Sequence, residues 1–439
     1  MIENDAFKLL LINLFHLNPD DIANILCTTF NKMMVLIVTL ADKHQACPYC
    51  GFTAPKIKEY VTKEITHSAL TTQKCIIKYR ARRYKCPCCG KTYYEFNPFV
   101  FKSQKISILT VHNILKDLKD FNETFTSVAR RYHVSPTSVS TIFDNHVDIG
   151  RNPLPEIINF DEVYAFKSEK SKYVCVLLDF KKQIPVDVLP NRKKEYLLNY
   201  FQKIPLEERK KVKYACSDMY EVYRDVVHKV FPEAKHLLDY FHLSQDFHKK
   251  MNEVRIKVMK GYKDNKASDE YYLLKKFNWL LFKNPEDEDK YGRLFDVERE
   301  RKYNSHFKSY MNYYDLRKKL LEINNDLTIC YSLKLELVDF YSKSTIDNAQ
   351  VNLEHLIRSF IDTNIEEMIK FSNNLINWKQ EIINSFTIVG TEYKVEADKG
   401  QVVVCNKKVN NAIIENRNKI IKCIKNNANG YTNWSRFRN

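Results

Sequence analysis

The sequence predicts an α/β (α+β) multidomain protein, and three observations carry that reading. Between residues 157 and 240, short runs rich in β-branched and aromatic residues alternate with amphipathic stretches, the signature of strands interleaved with helices. From 243 onward the apolar residues recur at helical spacing instead, as in Leu273, Phe277, Leu280 and Leu281, then Leu353, Leu356, Ile357 and Phe360, then Ile365, Met368 and Ile369. Upstream of both lie two Cys-x-x-Cys knuckles and a pair of short helical patterns, which mark separate small domains in a chain whose 439 residues suffice for several cores.

Residues 1–45 read as an N-terminal helical segment. Its apolar runs, Leu9–Leu17 and Met33–Ala41, fall short of the roughly 18 to 20 residues of a membrane span, and the first lacks a basic leader and a small-residue cleavage site. No membrane partner and a cytoplasmic location are therefore expected. Residues 46–97 read as a zinc ribbon. In Cys47-Pro-Tyr-Cys50-Gly and Cys86-Pro-Cys-Cys89-Gly, each pair is spaced so that two thiolates reach one tetrahedral Zn²⁺, and the glycine that follows admits a tight turn. Cys88 is an extra thiol whose place is left open, and two metal-free turns with reduced thiols are the plainer alternative. Residues 98–150 contain FTSVARRYHVSPTSVSTIFDNHV, a helix, a short turn around His133–Ser135 and a second helix with Ser135 as cap and Pro136 in the first turn. This is a helix-turn-helix pattern for DNA, with Val139 and Ile142 inward and Thr137, Ser138, Ser140 and Thr141 expected outward.

Residues 151–242 are expected to form the first part of a catalytic core. IINFDEVYAF, KYVCVLLDF and IPVDVLP read as sequential antiparallel strands, followed by a helix in KKEYLLNYFQKI, a strand in VKYACSD, a helix in EVYRDVVHKVF and a strand in AKHLLD. That β-β-β-α-β-α-β order is the RNase H-like one, in which the first and fourth strands lie side by side. A mainly helical insertion then occupies 243–400, ending in a hairpin-like excursion from Gly390 to Cys405, and 401–439 returns as a helix that completes the core.

Three carboxylates stand out in this frame. Asp161 lies in the first strand, and alternation sends Glu162 to the opposite face. Asp218 closes the fourth strand. Glu415 lies on the last helix, where Ile413, Ile414, Ile420, Ile421 and Ile424 form an apolar stripe and Glu415, Asn418, Lys419 and Lys422 fall at i, i+3, i+4 and i+7 on another face. Three hard oxygen donors suit two Mg²⁺ or Mn²⁺ ions, and two lysines on the same helix could hold a phosphate backbone. A strand-end Asp is more often a turn or cap residue, so the triad depends on its surroundings. Asp239 and His242 in DYFH could share a helix face and support the metals, or be an N-cap Asp beside a packed His; Asp239 is also the alternative second acid.

Charge agrees with a polyanionic partner. Lys and Arg total 70 against 54 acids, a net charge of +16, with pI about 9.1. The surplus is spread along the chain, which favours nucleic acid over a membrane surface.

CPYCGF and RRYKCPCCGKTY, NFDEVY, CSDMYEVY, LLDYFH, NWKQEIINSF, and ENRNKIIK with ANGYTNWSRFRN occur in an order that resembles prokaryotic insertion-sequence transposases of the ISL-three type, in the DDE class. The resemblance covers nearly the whole chain. It implies that Asp161, Asp218 and Glu415 are the catalytic triad, binding two Mg²⁺ (or Mn²⁺) ions, and that the reaction is DNA transposition at terminal inverted repeats. It further implies double-stranded end and target DNA as partners, a homodimer or larger assembly, and a nucleoid-associated protein. Similar proteins carry Ser-Asn-Gly ahead of the glutamate and often Glu-Gly at it; here Asn410-Asn411-Ala412 precedes and Asn416 follows. A domesticated DNA-binding regulator or an RNase H-like structure-specific nuclease are the other classes compatible with these parts.

Overall fold

A computed structural model describes residues 2–43, 46–68, 70, 72–102, 104–164, 166, 171–395 and 402–439. The chain divides into two compact units, Met1–Gly150 with Ile420–Asn439, and Arg151–Lys419.

The first unit opens with α1 (Ile2–Leu14), then β1 (Ile22–Phe30), β2 (Met33–Leu40), β3 (Lys56–Thr66), β4 (Cys75–Lys85) and β5 (Thr92–Tyr94). These strands make one sheet in the order β1-β2-β4-β3, with β5 on β4. Leu11 and Ile12 of α1 and Phe15 just after it share a core with Ile25, Leu36, Val38, Ile77 and Tyr79. The expected helical segment 1–45 is thus corrected: the helix stops at Leu14, and 22–40 is an antiparallel hairpin. The physical reason is local. Asn31 and Lys32 both take positive φ, 48° and 61°, which suits a two-residue turn between twisted strands, and Ile22, Ile25, Val35, Ile37 and Val38 are β-branched.

Three helices follow, α2 (Ile108–Asp117), α3 (Phe125–Arg131) and α4 (Pro136–His146). Each is capped by a hydroxyl: Ser107 accepts from the Thr110 amide, Thr124 from Ser127 in a reciprocal capping box, and Ser135 from Ser138. Val111, Ile114, Val128, Ala129, Tyr132, Val139 and Ile142 close their core.

The second unit begins with β6 (Ile157–Val163), β7 (Val174–Asp179), β8 (Ile184–Leu189), α5 (Lys194–Gln202), α6 (Leu206–Arg209), β9 (Tyr214–Ser217), α7 (Glu221–Val230) and β10 (Lys235–Leu238). The sheet order is β10-β9-β6-β7-β8; β10, β9 and β6 run parallel, while β6-β7 and β7-β8 are antiparallel. β6 is central and nearly all buried, which is why its sequence is apolar on both faces. On one face Ile158 and Phe160 pack with Phe201, Tyr223 and Phe231; on the other Ile157 packs with Cys216, Leu237 and Val409.

Next come α8 (Tyr240–Lys260), α9 (Asp269–Lys276), two small hairpins, β11 (Glu288–Asp289) with β12 (Gly292–Arg293) and β13 (Lys302–Asn304) with β14 (Ser309–Met311), then α10 (Tyr313–Glu322), α11 (Asn325–Lys343), α12 (Ala349–Ile361), α13 (Glu366–Asn377) and α14 (Lys379–Asn384). Their stripes meet in one core that includes Phe247, Met251, Leu353, Leu356, Phe360, Met368, Phe371 and Leu375. β15 (Ile388–Val395) and β16 (Val402–Lys408) pair antiparallel; the part of the expected excursion at 396–401 lies outside the described residues. The chain ends with α15 (Ala412–Asn427) and α16 (Trp434–Arg438). Among the described residues, no helix is long and apolar enough to cross a membrane.

Candidate active site

Strand register brings the acids together. Asn159 of β6 lies opposite Cys216 of β9, and Ser217 of β9 lies opposite Leu238 of β10. Two steps beyond the first pair are Asp161 and Asp218; one step beyond the second are Asp218 and Asp239. Asp218 and Asp239 therefore directly follow β9 and β10, and Asp161 lies in the C-terminal half of the neighbouring parallel strand β6, towards the carboxyl edge where open α/β sheets present ligand sites. The Asp239 amide still donates to the Ser217 carbonyl at 3.0 Å, so the alignment holds at that step.

The fourth acid arrives on α15. Asn159, a polar residue in the apolar run of β6, donates from Nδ2 to the Asn410 carbonyl and to Asn411 Oδ1, both at 2.7 Å. Asn411, fully buried, donates from its own Nδ2 to the Phe160 carbonyl at 3.2 Å, and its carbonyl accepts from the Glu415 amide at 3.0 Å. The first turn of α15 is thereby pinned to β6. One turn on, Asn418 Nδ2 donates to Asp161 Oδ2 at 2.8 Å, while the Glu162 amide donates to Asp161 Oδ1 at 2.7 Å. Asn418 lies on the Glu415 face, as helical spacing predicts, whereas Asn159 and Asn411 belong to no such pattern; an Asn inside an apolar strand is their one signal in the sequence. Ala412 and Asn416, which flank this contact and Glu415, are both exposed, so their side chains meet solvent rather than β6.

The electrostatics are those of crowded anions. Burial carries Asp161 from its ordinary 3.8 to about 7, the charges of Asp218, Glu415 and Asp239 push the same way, and His242 opposes them. Burial also raises Asp218, against the pull of His242, the Tyr220 amide at 3.2 Å and Arg192. Asp239 is raised by burial and by Glu415, with His242 and the amides of Asn411 and Phe241 opposing. Asp239 sits at the N-cap position of α8 but makes no side-chain cap bond. Its Oδ2 lies 3.8 Å from His242 Nε2, too far for a hydrogen bond. Asp239 Oδ2, His242 Nε2 and Asn418 Oδ1 are all buried without a hydrogen-bond partner. Donor atoms of Asp239, His242 and Glu415 lie within 4.8 Å of one another. Mutually repelling oxygens with unpartnered donors fit a hard divalent cation. Glu162 turns to the other face and pairs with Arg192, whose guanidinium lies over Tyr173 and Tyr220.

In the first unit, Cys47 and Cys89 sulfurs lie 3.7 Å apart and Cys50 and Cys86 3.5 Å, with all four mutually within 4.8 Å. A tetrahedron with Zn–S bonds of about 2.3 Å has edges near 3.8 Å. The two knuckles repeat one geometry: the amides of Gly51 and Gly90 donate to the carbonyls of Cys47 and Cys86, both at 2.9 Å, and the glycines take φ of 74° and 71°. Amides of the second knuckle, chiefly that of Cys89, push Cys86 down to about 7. Cys88 is exposed and outside the group.

On α4, Thr137 and Thr141 are exposed and Ser138 half-buried. Ser140 requires correction: it is buried, with Oγ donating to the Thr137 carbonyl at 3.0 Å, because it adjoins Val139 on the packed side. Lys419 and Lys422 on α15 are exposed, as the helical spacing requires.

ISL3-type DDE transposases, a family described as transposase, match residues 158–398. A transposase for insertion sequence element IS1001 from Bordetella parapertussis is 19% identical over 397 residues, covering 90% of this chain and 87% of that protein.

Proposed function

The chain belongs to the ISL3-type DDE transposases, and from that premise we propose that it binds the terminal inverted repeats of an insertion sequence and cuts and joins DNA at Asp161, Asp218 and Glu415. The observation that carries this reading is the parallel β6–β9 register, which extended by two residues sets Asp161 beside Asp218, with Glu415 on a helix pinned to β6. The sheet order, three antiparallel strands continued by two parallel ones, supports an RNase H-like core interrupted by the helical block between β10 and β15.

Asp161, Asp218 and Glu415 would hold Mg²⁺ or Mn²⁺, with Asp239 and His242 in support. When bound, such cations activate a water or 3′-hydroxyl and stabilise the leaving oxygen in phosphoryl transfer. The chain's own residues set the stage for this. Asn418 orients Asp161, Asn159 and Asn411 hold the Glu415 helix, and the unpartnered atoms of Asp239 and His242 leave donor capacity facing the acids. Cys47, Cys50, Cys86 and Cys89 would hold one Zn²⁺ that supplies folding energy to the ribbon. End reading falls to α4 through Thr137, Ser138 and Thr141, and Lys419 and Lys422 add backbone contacts. Residues 46–97, 98–150, 151–242, 243–400 and 401–439 then act as ribbon, reader, core, insertion and closing helix. Bringing two ends together calls for a dimer or larger assembly.

The test is incubation of the full chain and Mg²⁺ with a duplex that carries the element's inverted repeat and with a scrambled duplex. Cutting confined to the repeat boundary supports the proposal. Binding without cutting would point to a regulator, and cutting of unrelated branched DNA to a structure-specific nuclease.

A further inference from the structure

Thr137, Thr141 and Asp144 fall at i, i+4 and i+7 on α4, and all three are exposed. Two hydroxyls suit a DNA surface. A carboxylate on the same stripe does not, because duplex DNA carries one negative charge per roughly 1.7 Å of axis. The structure answers that charge from the far end of the chain. Arg436 donates to Asp144 through Nε, at 2.9 and 3.2 Å from its two oxygens, and through Nη2 at 2.6 Å. The pair holds Asp144 below the usual carboxylate range and raises Arg436.

The arginine is well anchored. Asn433 caps α16 by accepting from the Arg436 amide at 3.1 Å, and Phe437 packs against Tyr431 and Trp434. Asn439 Nδ2 donates to the Val147 carbonyl at 3.1 Å, and Arg438 donates to that of Ile149, so the tail grips the end of α4. Both members of the Arg436–Asp144 pair remain partly exposed, with side chains 32% and 41% accessible, so the pair itself adds little to folding stability. From Asn416 to the C-terminus the sequence contains no acidic residue, whereas it carries Arg417, Lys419, Lys422, Lys425, Arg436 and Arg438.

We propose that the C-terminal segment 433–439 is part of the DNA-reading surface, with Arg436 a positioning residue that masks Asp144 so that α4 can approach a duplex. This rests on α4 being the reading helix. The partner is double-stranded DNA, and the mask removes a repulsion rather than adding a base contact.

Equilibrium binding of the full chain to the inverted-repeat duplex and to a scrambled duplex tests it. Arg436→Ala weakens binding to the repeat about tenfold, the cost of one unmasked like charge. Asp144→Asn alone binds at least as tightly as the native chain, and adding Asp144→Asn to Arg436→Ala recovers most of the loss. Native affinity in Arg436→Ala overturns the proposal. So does a loss that Asp144→Asn fails to recover, since Arg436 would then act by touching the duplex itself or through the packing of the tail, not by masking Asp144. Equal binding of both duplexes by the native chain would refute end reading by α4, while the Arg436 and Asp144 series on either duplex still decides the masking.

Discussion

Asp161 shows how much the site depends on single atoms. Its two oxygens each accept a hydrogen bond, from Asn418 and from the Glu162 amide, and burial among other acids keeps its carboxyl protonated up to about pH 7. Asn418→Ala frees the carboxylate to rotate, and supporting residues around metal ligands are worth about 10- to 100-fold, so cleavage should fall by that factor with end binding unchanged. A steady-state cleavage assay beside a binding titration checks this; equal loss of both would assign Asn418 to the fold. The raised Asp161 value also fixes a pH dependence. The metal-free folded chain retains a proton that the unfolded chain releases, so this contribution to stability is fully present below about pH 4 and is lost as pH rises through 7. A divalent cation displaces that proton. The Mg²⁺-induced rise in Tm should therefore be larger at pH 8 than at pH 5, and Asp161→Asn should flatten the difference. A Mg²⁺ effect independent of pH would contradict the assignment.

Elements differ in how openly the sequence announces them. Asn411→Ala removes two buried hydrogen bonds, leaving the Phe160 carbonyl short of a donor and Asn159 held only by the Asn410 carbonyl, which should cost about 1–3 kcal/mol in denaturant unfolding; a cost near zero would mean that Asn411 does not hold α15 to β6. The Asn159–Asn411 clamp was invisible beforehand because its members stand 252 positions apart in sequence, and no periodicity joins them. The strands β6 to β10 were legible from their β-branched runs, and α15 from its isoleucine stripe, because burial acts residue by residue. Met33–Leu40 was not: an almost wholly apolar run lacks the alternation that separates strand from helix, and the Asn31-Lys32 turn was the better signal. Ser140 misled because a small hydroxyl can be satisfied by its own helix. The knuckles were legible as paired spacings. Elemental analysis of the native chain should find one zinc, and Cys86→Ser or strong chelation should unfold the ribbon, since structural zinc contributes on the order of 10 kcal/mol to small modules. A zinc-free chain with an intact first unit would refute this.

The whole molecule combines a unit that carries four clustered cysteines and three short capped helices with an acidic cluster in a second unit, in a chain of net charge +16. A surplus of that size steers the protein to DNA at any sequence, so affinity alone reports little about mechanism. The discriminating property is metal-dependent cutting, and the most direct measurement of it compares strand cleavage at an inverted-repeat boundary by the native chain, Asp161→Asn, Asp218→Asn, Glu415→Gln and Asp239→Asn, each with its end-binding affinity. Asp161→Asn, Asp218→Asn and Glu415→Gln should each lose at least about a thousandfold in cleavage while binding the end within a few-fold of the native chain, because each substitution keeps shape but removes a charge needed to hold two dications. Asp239→Asn should retain part of the activity. Cleavage surviving in Asp218→Asn but abolished in Asp239→Asn would move the second catalytic acid to β10, and native cleavage by all four variants would contradict the site altogether.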